Sequence, residues 1–291
     1  MPQLIRTTLH GDEAVAYMAL LARLAALLQC SENLVVPAFD PAAPNSRMAV
    51  ARAKNLWDPY AQAWQLLSAA EDHLQTILEI LRADQLPRFA LYSLLRPAVT
   101  AGVRMAYLVE LSIPEAQRLG RALNLRCENL MEQNKVKPDK AHLAARIAHL
   151  EQRASENGVK MIPSAARKDS ALKRPGFGEH QPKEIELVQA YMKEGELLYR
   201  VLSAHVHAQP WVVLMNTSRA TKADDPHVSS MPTDVDTTLF GNMLAIALKR
   251  HEQNLVDMFV LAGYPVEAFK SAMTTALARA KTDVLPRANG S

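Results

Sequence analysis

The sequence predicts an all-α protein, a single-domain helical bundle of about eight helices interrupted by two long loops. Three observations predict it. Hydrophobic residues make up 49% of the 291 residues but aromatic residues only 5%, and the chain holds just 10 glycines; a chain this rich in Ala and Leu favours helix over sheet. Apolar residues recur at helical spacing through most of the chain. Capping residues and turn formers stand where those stripes end.

In chain order, Gly11-Asp12 precede an Ala/Leu-rich helix from about Glu13 to Gln29. The segment from Cys30 to Ser46 holds Pro37, Pro41 and Pro44, which marks a loop. A short helix from about Arg47 to Trp57 follows, and Asp58-Pro59 opens the next, running to about Ala83. That helix is apolar over a wide arc, which marks it as central. His73 lies within the arc, as a buried polar group partnered by a residue such as Arg96 or as part of a site.

Pro87 opens a helix to about Leu111, in which Arg96, Thr100 and Arg104 form a ladder at i,i+4 spacing. Pro97 is expected to kink or interrupt it. A kink there aims the Arg96 guanidinium inward, or else Arg96 neutralises Glu71 or Asp72 on the neighbouring helix. Ser112-x-x-Glu115 reads as a capping box for a helix to about Asn134. Pro138-Asp139 begins another, ending at Asn157-Gly158, with His142 and His149 on its solvated side.

The first long loop spans about 159–182 and carries Arg167, Lys168, Lys173 and Arg174, a disordered insertion or a mobile basic lid. The second spans about 216–233. Asp234 caps a long helix to about Ala262, stopped by Gly263, with Lys249-Arg250-His251 read as a solvated cluster. The core of the domain is expected over about 12–262, and a last helix over about 265–281.

Net charge is +3, with 33 basic residues against 30 acidic ones, so bulk charge does not mark a nucleic-acid-binding protein and any basic surface is local. Cys30 and Cys127 lie far apart and form neither a disulfide framework nor a ligand pattern, which points to a reducing, cytoplasmic setting. The most apolar run, Ala14–Leu28, contains Arg23 and falls short of a bilayer span, so no membrane association is expected. No phosphate-cradling glycine loop, nucleophile elbow or paired metal-ligand motif occurs, and no cofactor and no metal are expected.

Chemistry concentrates in Tyr191–Trp211, read as one helix running into Gln209-Pro210. It holds Arg200, Ser203, His205 and His207 within about two turns. Arg200 and His207 project the same way, Ser203 sits one turn before His207, and His205 falls on the apolar face. A guanidinium fits phosphate oxygens and an imidazole moves protons near neutral pH, a pairing that suits a phosphodiester. The same residues also make sense as structure: Glu196 and Arg200 form an i,i+4 surface pair, and His205 suits a hydrogen-bonded core position.

Tyr199-Arg200-Val201-Leu202-Ser203, followed by Val206-His207-Ala208 and Pro210-Trp211, resembles a signature of a group of bacterial all-helical proteins. Ala70-Glu71-Asp72-His73-Leu74 and Leu94-Leu95-Arg96-Pro97-Ala98 resemble the same group, which is distantly similar to the HEPN superfamily. The resemblance covers about residues 60–260. It implies a helical bundle, often a homodimer, and in active members metal-independent RNA cleavage by an Arg/His pair. Val201 stands where HEPN nucleases usually carry a polar residue, and Thr100 where the bacterial group usually has Glu.

The expectation is therefore a HEPN-like protein that binds, and in its catalytic form cleaves, RNA or another phosphate-bearing ligand. Arg200 holds phosphate, His207 is the general acid/base and Ser203 orients it; His73, Arg96, Tyr199 and His205 supply the pocket or support the pair. The alternative is a non-catalytic interaction or regulatory protein in which these residues only join helices.

Overall fold

The structure is a computed structural model that describes residues 11–82, 87, 89–162, 175–193, 195–215 and 237–284. It is all-α, with one short two-stranded ribbon among the described residues. Helix α1 (Gly11–Cys30) runs through a π-helical turn at Ser31–Val35 into α2 (Val36–Phe39). The loop expected from Cys30 therefore shrinks to 40–46. Pro37 sits where the π-helical turn passes into α2, inside the continuous helix. The continuation makes the helix longer than the apolar run Ala14–Leu28 read from the sequence. Val15–Phe39 forms 25 helical residues, long and apolar enough to cross a bilayer, although its inner face packs on the rest of the protein.

Helices α3 (Arg47–Ala53), α4 (Asp58–Arg82) and α5 (Ala90–Val109) follow. Helices α4 and α5 pack along their length, and α5 is the centre of the fold: Leu91, Leu95, Val99, Val103 and Leu108 are all buried. Full burial of each such side chain stabilises by roughly 1.5–3 kcal/mol. Pro97 does not interrupt α5, which stays helical on both sides of it.

Helix α6 (Glu115–Val136) starts without the expected capping box. Ser112 instead donates its hydroxyl to Glu110, 2.6 Å away, and Glu115 accepts from Arg47 and Tyr60 at 2.9 Å each. Helix α7 (Lys140–Glu156) is capped as expected, by Asp139 accepting from the His142 amide at 2.9 Å. It ends at Gly158, whose φ of 66° suits glycine. Strands β1 (Met161–Ile162) and β2 (Gly176–Phe177) pair antiparallel and close the base of the first long segment. A Cβ on Gly120 would sit 2.7 Å from the Phe177 carbonyl oxygen, so glycine lets the ribbon dock on α6. The basic residues expected to form a lid, Arg167, Lys168, Lys173 and Arg174, lie outside the described residues, as does 216–236 with its expected loop and Asp234 cap.

The stretch expected as one helix is broken. Helix α8 (Glu184–Tyr191) stops, and α9 (Gly195–Val206) starts afresh before α10 (Pro210–Met215). The two helices meet closely: a Cβ on Gly195 would lie 2.6 Å from the Met192 Cβ and 2.9 Å from Val188 Cγ1. Helices α11 (Thr237–Leu261) and α12 (Val266–Val284) complete the bundle, and α12 packs on α1. The main core draws on α1, α4, α5, α8, α9, α11 and α12, while α6, α7 and the ribbon enclose a smaller cluster around Leu123, Leu150 and Phe177. Cys30 and Cys127 are both buried.

Candidate functional site

One face of α5 borders an open groove of about 450 Å³, walled by Leu66 from α4 and Val206 from α9. Ser93, Arg96, Pro97, Thr100, Ala101 and Arg104 line it from α5 itself. The i,i+4 ladder read from the sequence is thus the wall of a cavity. Pro97 brings no N–H, so the Ser93 carbonyl one turn earlier loses its usual helical donor beside the groove.

The polar groups are anchored. Arg96 donates from Nη2 to the Tyr199 hydroxyl and lies over that ring, 4.2 Å from its centroid. Arg96 Nη2 also stands 3.3 Å from Glu184 Oε1, and Thr100 donates its hydroxyl to the same oxygen at 2.5 Å. Arg104 Nη2 lies 3.4 Å from Glu128 and 4.0 Å from the other Glu184 oxygen. Gln181 donates to Glu128 at 2.6 Å. Burial raises the Tyr199 hydroxyl pKa, with Glu184 reinforcing the rise and Arg96 opposing it, so Tyr199 stays a neutral partner at ordinary pH. The arrangement can hold an anion with an apolar body; it contains no activated nucleophile.

Arg96 and Tyr199 therefore meet as parts of one site, but the remaining expected residues do not join them. Arg96 reaches α8 and α9 rather than His73, Glu71 or Asp72, and Glu71 faces His251 instead. His73 is half-buried on α4. Arg200 donates from Nε and Nη2 to Glu196 at 2.9 and 2.7 Å, and its side chain is 65% exposed. His207 lies exposed just past the last residue of α9, where its amide donates to the Ser203 carbonyl at 3.1 Å. Ala208, at φ 47°, and the Gln209 amide bonded to the Ala204 carbonyl at 2.9 Å close the helix there. His205 is a core residue: its Nδ1 meets the Val201 carbonyl at 2.9 Å and its ring stacks on Tyr92.

Sequence reasoning missed a second polar centre around Arg121, which is 8% exposed. Its Nη1 donates to the Tyr107 carbonyl and to Glu110 at 2.7 Å each and to the Tyr191 hydroxyl at 3.1 Å; its Nε donates to Glu179 at 3.1 Å. Tyr191 donates to Glu110 at 2.8 Å and Tyr107 to Glu179 at 2.6 Å. Burial pushes the Glu110 carboxyl up, but hydrogen bonds from Ser112, Arg121 and Tyr191 outweigh it and bring it down to about 2. Burial and the bond to Glu110 raise the Tyr191 phenol to about 12. This network binds α5, α6, α8 and the ribbon together. Arg118, wholly buried, adds to it by donating to the Leu108 carbonyl and, at 2.8 Å, to the Glu110 carbonyl. The available signal was Arg118 standing in the helical stripe that continues through Ala122 and Leu125.

The cluster expected to be solvated on α11 is corrected as well. His251 is buried with Nε2 3.4 Å from Glu71 on α4, and half-buried Arg250 lies 3.5 Å from Asp257, so only Lys249 remains exposed. Asn254, one turn on, donates to the Gly102 carbonyl of α5 at 2.8 Å. Comparison of the chain with protein-family models, with curated proteins and with solved structures returns no match.

Proposed function

We propose that the protein binds a phosphate-bearing ligand, RNA or a smaller phosphate compound, in the α5 groove and holds it without catalysis. The observation that carries this is the convergence of Arg96 and Arg104, two cations lining one open groove, on the single carboxylate of Glu184, at 3.3 and 4.0 Å. Paired guanidiniums match phosphate oxygens in charge and geometry. The groove volume falls within the range of small-ligand sites. Leu66, Pro97, Ala101 and Val206 give it an apolar floor for a sugar or base. The absence of catalysis is supported by His205 packed into the core and by Arg200 engaged with Glu196.

The test is fluorescence anisotropy with a labelled single-stranded RNA and competition by AMP, using wild type and Arg104→Ala. Binding by wild type, with about tenfold loss in the variant, supports the groove; equal binding by both removes it.

A catalytic form would use Arg200 and His207, and the exposure of both side chains at the end of α9 favours it. Its test is mixed RNA incubated with wild type beside His207→Ala. Cleavage by wild type alone supports it, and equal cleavage or none by either removes it. We also propose a homodimer, supported by the exposed apolar side chains Leu197, Val206 and Trp211 along α9 and α10. A single-chain mass by light scattering overturns that.

A further inference from the structure

The Glu184 carboxylate occupies a place built to hold an anion. Thr100 donates a hydroxyl to it at 2.5 Å, Arg96 stands at 3.3 Å and Arg104 at 4.0 Å. Tyr199 fixes the Arg96 guanidinium from above. Both guanidiniums and the Thr100 hydroxyl come from α5 and the Tyr199 hydroxyl beside them from α9, whereas Glu184 enters from the first residue of α8. Charge is balanced as the groove stands: Arg96 and Arg104 face Glu184 and Glu128. Each guanidinium faces a carboxylate, although each also buries its Nε without a hydrogen-bond partner, so an incoming anion gains the charge of the pair by replacing a carboxylate. A phosphate monoester brings about 1.5–2 negative charges and three acceptor oxygens, more than one carboxylate offers. Glu128 has a donor of its own beside Arg104, since Gln181 donates to it at 2.6 Å.

We infer that Glu184 is an internal competitor for the ligand: the phosphate takes the position of its carboxylate, accepting from Arg96, Thr100 and Arg104, and α8 is released from α5 when it does. This rests on the groove being the phosphate site. With Glu184 on these donors the groove is self-inhibited; released from it, Arg96, Thr100 and Arg104 face an incoming anion with one carboxylate fewer. A purely structural tie between α8 and α5 makes the opposite forecast, since losing the carboxylate would then loosen α8 and gain nothing in affinity.

The experiment is calorimetric titration of AMP, with inorganic phosphate in parallel, into wild type and Glu184→Gln, an isosteric change that removes the charge. Glu184→Gln is expected to bind AMP about tenfold more tightly than wild type. Equal or weaker binding by Glu184→Gln, with wild type binding measurably, overturns the competitor and leaves the groove standing. No binding by either chain overturns both. Hydrogen exchange on wild type gives an independent reading should the variant fold poorly. Saturating AMP is expected to speed exchange across Glu184–Tyr191, and unchanged or slower exchange there overturns displacement.

Discussion

His205 stacks on Tyr92 with ring centroids 3.9 Å apart and planes 13° from parallel. The histidine read as a hydrogen-bonded core position or as support for a pocket is a core residue that seals α9 against α5. Burial lowers its pKa, against the opposing pull of the Val201 carbonyl. The unfolded chain, with a histidine near the usual 6.5, therefore takes up the proton first as pH falls. The stability contributed by neutral His205 is complete above about pH 6.5 and is lost below it. His205→Ala is expected to destabilise by about 2–3 kcal/mol, measured by urea denaturation at pH 7.5. His205→Phe is expected to flatten the slope of stability between pH 7 and 5.

Glu110 provides the acid limb. Its folded pKa is depressed to about 2, so its contribution is present above the unfolded value near 4.3 and fades as pH falls from there towards 2. Glu110→Gln is expected to cost on the order of 1 kcal/mol at pH 7, kept small by solvent screening of a partly exposed group. It should also shrink the difference from wild type as pH drops to 2.5. Melting temperatures across that range check both.

Gly195 permits the close approach of α8 and α9. A methyl there meets Met192 Cβ at 2.6 Å and Val188 Cγ1 at 2.9 Å. Gly195→Ala is expected to destabilise by about 1–3 kcal/mol despite the better helix propensity of alanine. Chemical denaturation measures it, and a stabilised variant would show that the two helices separate readily.

Burial sorts the arginines. Arg118 is wholly buried and donates to two carbonyls, so Arg118→Met strands those acceptors and is expected to cost about 3 kcal/mol or more. Arg200 makes an exposed i,i+4 pair with Glu196, and Arg200→Ala is expected to change stability by less than about 0.5 kcal/mol. The pair of denaturation curves tests the contrast.

Much of the helical layout could be read from local chemistry. The stripe Leu91–Leu95–Ala98 announced the buried face of α5, Asp139 the start of α7, and Gly158 and Gly263 the ends of α7 and α11. The breaks that failed were those decided by packing. The sequence between Tyr191 and Gly195 reads as continuous helix, yet α8 and α9 each pack on α5 and meet at Gly195, where a Cβ would collide with Met192 and Val188. Likewise Ser112 had capping chemistry, but Glu115 was claimed by Arg47 and Tyr60 from elsewhere in the chain and by Arg118 one turn on in α6.

By itself the sequence determined an all-α architecture and a helix carrying Arg96, Thr100 and Arg104 on one face, because helical periodicity and capping depend on neighbours a turn away. Only the tertiary structure decided which cations meet which acids: that Arg96 finds Tyr199 and Glu184, and that Arg121 gathers Glu110 and Glu179. Those partners lie many residues apart in the chain. Their pairing follows from helix crossing and desolvation, which local spacing does not encode.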